Sequence, residues 1–238
     1  PCLTARSMSR STPTWTGPVY DGLNFKRQPF EPDAPPQSAE VPLLIGTTRT
    51  EMSSLAALIE GPHLFDLTWD TLPEKIASLV PGADAQAVIA GYRELNPSLD
   101  PPGLYFTVAT DNGFLRRSIR LADRKARQPR APVYSYLFNW DTPMDGGSWL
   151  SPHGLDIGFV FDNVAMSESL SGVGEEQQRI ADMMSEAWIA FARTGDPNHA
   201  GIPSWVPYTA ERRATMLIDN DPRIVDDPRG PFLALLGP

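Results

Sequence analysis

Two short apolar runs set the frame for this chain: VPLLIG at 41–46 and APVYSYLF at 131–138. Each is bounded by Pro or Gly and is too short for a typical helix, so each predicts a strand. The first is continuously apolar, which suits a strand buried on both faces. The residues between them repeat at helical spacing. A strand, helices, strand, helix order is an α/β pattern in which the strands run parallel, with helices flanking the sheet.

The helical candidates follow in turn. Thr50 to Ile59 carries Met52, Leu55, Ala56 and Ile59 on one face. Thr71 to Val80 has Pro73 in its opening turn, and Asp84 to Leu95 is a further amphipathic stretch. Leu104 to Arg127 repeats Phe114, Leu115, Ile119 and Ala122, and ends in Arg124, Lys125 and Arg127, cations that complement the negative end of a helix dipole. The strongest pattern is Glu175 to Arg193, where Ile180, Met183, Met184, Ala187, Trp188 and Phe191 fall on one face. Gly195 and Pro197 stop it. That Met and Trp stripe has core spacing and reads as packing rather than as a cofactor surface. Thr215 to Ile218 is a last short strand.

Proline, 25 of 238 residues, is about twice its usual ~5% share and predicts many extended connections. The chief one is 17–40, with Pro29, Pro32, Pro35 and Pro36. Residues 1–16 are rich in Ser, Thr, Arg and Pro without apolar period, and read as a poorly ordered tail. No boundary divides residues 17–238, which read as one α/β domain.

Several function classes are disfavoured. The net charge of −9 opposes general nucleic-acid binding, which leans on clustered Lys and Arg. No run of about 18 apolar residues is present to span a membrane. The single cysteine, Cys2, rules out an internal disulfide framework and lies in the tail without a neighbouring His, so it is not read as a nucleophile. No phosphate-binding glycine loop follows a strand. His153 and Asp156 are three apart, but no second His joins them at metal-ligand spacing.

In an open parallel sheet, functional groups gather beyond the carboxyl ends of the strands. Glu51 follows the first strand and His153 follows the second, in the loop DTPMDGGSWLSPHG. An acid followed by a His is the order of the last two members of an α/β-hydrolase triad. Simpler readings stand beside this one. A Glu in the first turn of a helix suits the positive end of the dipole, and a lone loop His is commonly a surface residue. HGLDIGFVF (153–161) would hold His153 at the rim of a core. His63 and His199 sit in turn-like contexts and are given no role. No Ser stands in G-x-S-x-G; the nearest, Gly146-Gly147-Ser148, runs on into Trp149. No HGGG-type oxyanion loop is present either.

VPLLIGTTRTE (41–51), TDNGF (110–114), PVYSYLF (132–138), HGLDIGFVF (153–161) and AWIAFARTGDPN (187–198), followed by Trp205 and Tyr208, resemble successive blocks of the type B carboxylesterase family. GPVYDG (17–22) resembles the block before them. The resemblance implies the C-terminal portion of an α/β-hydrolase fold over residues 17–238, with residues 1–16 outside the family pattern. It implies that Glu51 is the triad acid and His153 the triad base, acting on a small carboxylic ester without metal or organic cofactor. It also implies that the nucleophilic serine and oxyanion glycines lie in a preceding half, so that this chain alone is nearly inactive. Met52 stands where the family usually has Gly, and Ser151-Pro152 where Gly-Ala is common; Gly adopts backbone angles that Met and Pro do not. Two alternatives remain at this point: a non-catalytic, cholinesterase-like interaction module, and one half of a split esterase. Half a parallel sheet also leaves an open edge, which predicts self-association. Low cysteine content favours a bacterial cytoplasm, while a leader on a preceding segment would allow secretion.

Overall fold

The computed structural model describes residues 21–23 and 26–237. The tail at 1–16 and most of the 17–22 block therefore lie outside the described residues. Strand β1 (Leu43–Thr48) is followed by helices α1 (Met52–Glu60), α2 (Leu72–Leu79), α3 (Ala85–Leu95) and α4 (Pro101–Thr110). A π-helical turn at Asp111–Leu115 leads into α5 (Arg116–Ala126) and strand β2 (Val133–Phe138). Then come α6 (Leu155–Val160), α7 (Glu168–Ser171), α8 (Glu175–Thr194), β3 (Ala214–Ile218), β4 (Arg223–Asp226) and α9 (Gly230–Ala234).

The four strands form one sheet in the order β1-β2-β3-β4. The first three are parallel, and β4 runs antiparallel to β3. The β1–β2 register pairs Leu43 with Val133 and Thr48 with Phe138, so both strands end at the same level. Alternating side chains serve the two faces. Leu43, Ile45 and Val133 pack with Ala122 of α5 on one side. Leu44, Tyr134, Phe138 and Met216 pack on the other with Phe159 of α6 and with Ile180 and Met184 of α8. A separate core beneath the crossover joins Leu72, Ile76, Val88, Tyr92, Leu104 and Phe106.

Two expectations change and two elements are added. β1 is half-buried over its first four residues rather than buried on both faces, because among the described residues it is the outermost strand of the sheet and has a neighbour on one side only. Leu104 to Arg127 is not one uniform helix: its turn at Asp111–Leu115 is π-helical, an inserted residue that a 3.6-residue reading passes over. HGLDIGFVF, an apolar segment given no element type from sequence, carries α6. β4 was not foreseen, since RIVD is short and lies close to Pro222 and Pro228.

Candidate active site

Glu51 and His153 stand 102 positions apart in sequence and meet at the carboxyl ends of β1 and β2. Two loops bring them together. The loop after β1 is tied to the loop after β2 by Thr50 N–H donating to the Ser151 carbonyl at 3.1 Å and Ser151 N–H donating to Thr50 Oγ1 at 2.8 Å. Ser53 Oγ donates to the Trp149 carbonyl at 2.7 Å, and Ser151 Oγ to the Phe138 carbonyl at 3.1 Å. The last three of these four bonds use a small hydroxyl side chain, able to reach backbone in a crowded junction. Around them the second loop turns through left-handed backbone at Asp145, Gly146, Gly147, Leu150 and Gly154. Met52 and Ser151-Pro152, the departures from the family blocks, lie outside that left-handed region. Met52 begins α1, and its N–H donates to Thr110 Oγ1 at 3.1 Å.

The carboxylate of Glu51 is buried, its side chain only 8% exposed, whereas the His153 side chain is 50% exposed. Glu51 Oε1 accepts from the Thr48 N–H at 2.8 Å, and Oε2 lies 2.5 Å from His153 Nδ1. Glu51 occupies the N-cap of α1, yet its side chain makes no capping bond and turns back to the strand end. The dipole reading is therefore not what fixes its direction. Burial pushes the Glu51 carboxyl above the ordinary glutamate value, against the lowering effect of His153 and the Thr48 N–H. The charge of Asp156 adds to the rise. Asp156, weighed from sequence only as a metal partner, instead accepts from Tyr136 Oη at 2.9 Å.

His153 is held on two further sides. Its backbone N–H donates to Ser54 Oγ at 3.2 Å, and the Phe114 ring lies 5.7 Å from the imidazole, tilted by 44°. Ser54, Thr48 and Phe114 were not singled out as site residues from sequence. Phe114 carried a usable signal, since it closes the TDNGF block, and the π-helical turn aims it at the imidazole. His199 is engaged elsewhere, with Glu186 at 2.9 Å and the Met183 carbonyl at 3.1 Å; His63 lies in a 3₁₀ turn. Among the described residues no group of three or more His, Cys, Asp or Glu is placed to hold a metal. Among those residues, too, no helix is long and apolar enough to cross a membrane.

Comparison with known proteins agrees with this architecture. A family model described as "Carboxylesterase family" matches residues 4–232, a span that takes in part of the 1–16 stretch. The para-nitrobenzyl esterase of Bacillus subtilis is 28% identical over 226 residues, covering 89% of this chain and 41% of that protein. The phenmedipham hydrolase of Pseudarthrobacter oxydans is 26% identical over 208 residues, covering 86% and 40%. The crystal structure of a Geobacillus stearothermophilus carboxylesterase superposes with a TM-score of 0.71 at 32% identity, covering 92% of this chain and 45% of that one. The chain thus spans less than half the length of these relatives. With an α/β-hydrolase sheet, helices on both faces and a family model that covers nearly all of its length, the chain belongs to the carboxylesterase family.

Proposed function

We propose that this chain supplies the acid–base part of a serine hydrolase acting on small carboxylic esters. The observation that carries the reading is the 2.5 Å approach of the buried Glu51 Oε2 to His153 Nδ1. A carboxylate on Nδ1–H fixes the tautomer in which Nε2 is free to take a proton, and then stabilises the imidazolium that results. His153 Nε2 removes the proton of a serine as its oxygen attacks the ester carbonyl, and returns it to the departing alcohol. It then deprotonates the water that attacks the acyl-serine and returns that proton to the serine oxygen as the acid departs. The serine belongs to polypeptide outside these 238 residues, on the same chain or on a separate one, because no G-x-S-x-G stands within them. Neither metal nor organic cofactor enters this chemistry. An interaction module has no use for a buried carboxylate aimed at an imidazole, so the enzyme reading is preferred.

The test is direct. In the intact polypeptide, His153→Ala lowers kcat for a p-nitrophenyl ester by about 10⁴-fold while the thermal melt stays close to that of the parent. A parent-like rate in that variant overturns the assignment. Fluorophosphonate-sensitive turnover by the 238-residue chain alone overturns the placement of the serine outside it.

A further inference from the structure

The ester chemistry leaves unused a ladder of cations along α5 and at its C-cap. Arg116, Arg120, Arg124 and Arg127 recur at helical spacing, and this face walls a cavity of about 450 Å³ that Arg213 and Leu233 also line. Cations in the last turn of a helix suit its dipole, but that benefit fades within one turn. Arg116 and Arg120 lie further upstream. Like charges four residues apart weaken a helix, so the ladder is a local conflict that folding alone does not require. It is also out of keeping with a chain whose net charge is −9.

The partners of these cations are unevenly distributed. Arg124 donates to the Phe30 carbonyl and pairs with Glu31 at 2.6 Å. Arg213 pairs with Asp123 at 3.0 Å and lies 3.6 Å from Asp227, while Asp123 also accepts from Tyr208 Oη at 2.6 Å. Asp33, nearby, is taken by Arg27 at 2.6 Å. Arg116 donates to the Gly237 carbonyl at 2.9 Å and also feels the charge of Asp111. Two guanidinium groups are less committed. Arg120 is exposed, with Glu31 no nearer than 3.9 Å, and Arg127 is exposed with no ion pair among the described residues. Seven helical residues apart, they stand about 10 Å from each other along the axis. Ile119 and Leu233 also line the cavity, as does the Asp123 carboxylate, already paired with Arg213.

The geometry points to a binding site for small, multiply charged phosphate compounds, held by the forks of Arg120 and Arg127. Guanidinium forks match phosphate oxygens two at a time, which is why they suit this ligand class better than a single carboxylate. An organic portion of the ligand rests on Ile119 and Leu233. The site is independent of the proposed ester chemistry.

Calorimetric titration of the intact polypeptide at near-physiological ionic strength tests it, with inorganic pyrophosphate, inorganic phosphate and phenyl phosphate as probes. The expected result is saturable 1:1 binding of pyrophosphate or phenyl phosphate. Preference for phenyl phosphate over inorganic phosphate identifies an organic ester as the ligand, and binding of pyrophosphate alone identifies a free polyanion. Arg120→Gln with Arg127→Gln weakens binding by about tenfold or more, whereas Arg179→Gln on α8, which removes the same kind of charge elsewhere, does not. Arg127→Gln alone carries the test if the double variant melts early. No saturable binding, no loss in the α5 variants, or an equal loss in Arg179→Gln overturns the proposal.

Discussion

Glu51 is an acid whose surroundings pull its ionisation in two directions, and burial wins. Because its native carboxyl titrates above the value it has in an unfolded chain, the native state holds the proton longer. Its contribution to stability is therefore fully present below the ordinary glutamate range and is lost as pH rises through the raised native value. Glu51→Gln has no charge to bury. The difference in Tm between this variant and the parent should shift in favour of the variant as pH rises from about 4 to about 7, as melts across that range will show. A constant difference would mean that the carboxyl is not held up. The two residues of the pair were legible from their order and their places after strands. Their supports were not: Thr48, Ser54 and Phe114 act across turns or through contacts that no local spacing reveals.

At the scale of elements, the π-helical turn is fastened by a buried ion pair. Asp111, 1% exposed, accepts from Tyr92 Oη at 2.8 Å and from both Nε and Nη2 of Arg229, whose guanidinium lies 3.7 Å from the Phe232 ring centre. The turn that carries Phe114 is thereby tied to α3 and to the start of α9. Asp111→Ala strands the Arg229 charge in the interior and should cost about 3–5 kcal/mol in a urea unfolding experiment, with Asp111→Asn costing less. Gly46 faces a different constraint: it pairs with Tyr136 across the sheet, and an added Cβ collides with the Tyr136 ring and carbonyl. Gly46→Ala should lose about 1–3 kcal/mol by the same measurement. Helices α1, α2, α3 and α8 and the first three strands could be read from the sequence because each carries a long enough period or clean stops. α4 is buried without a break from Gly103 to Thr110, so no one-sided period leads up to the π turn whose break in phase could mark the inserted residue. α6 has only six residues, too few for a period to declare itself.

For the whole molecule, the sheet has unlike sides. β4 closes one side with an antiparallel strand, and Arg223 and Asp226 at its ends are exposed. Among the described residues β1 forms the other side, and apolar Val41 just before it is 58% exposed. Ile157 within α6 and Phe161 at its C-cap, four residues apart, are also exposed. An open strand edge beside apolar surface recruits further strands. The 238-residue chain by itself should therefore sediment as concentration-dependent assemblies, and a monomer across a wide concentration range would contradict this. The same asymmetry orders events in time. β3 and β4 are joined by a short turn and pair locally, whereas β1 reaches β2 only after the whole helical crossover is in place. Closing so long a loop is slow, and such contacts form late. Glu51 and His153 each sit just past one of those two strands. The pair is thus among the last features to exist as the chain folds and among the first to vanish when β1 detaches.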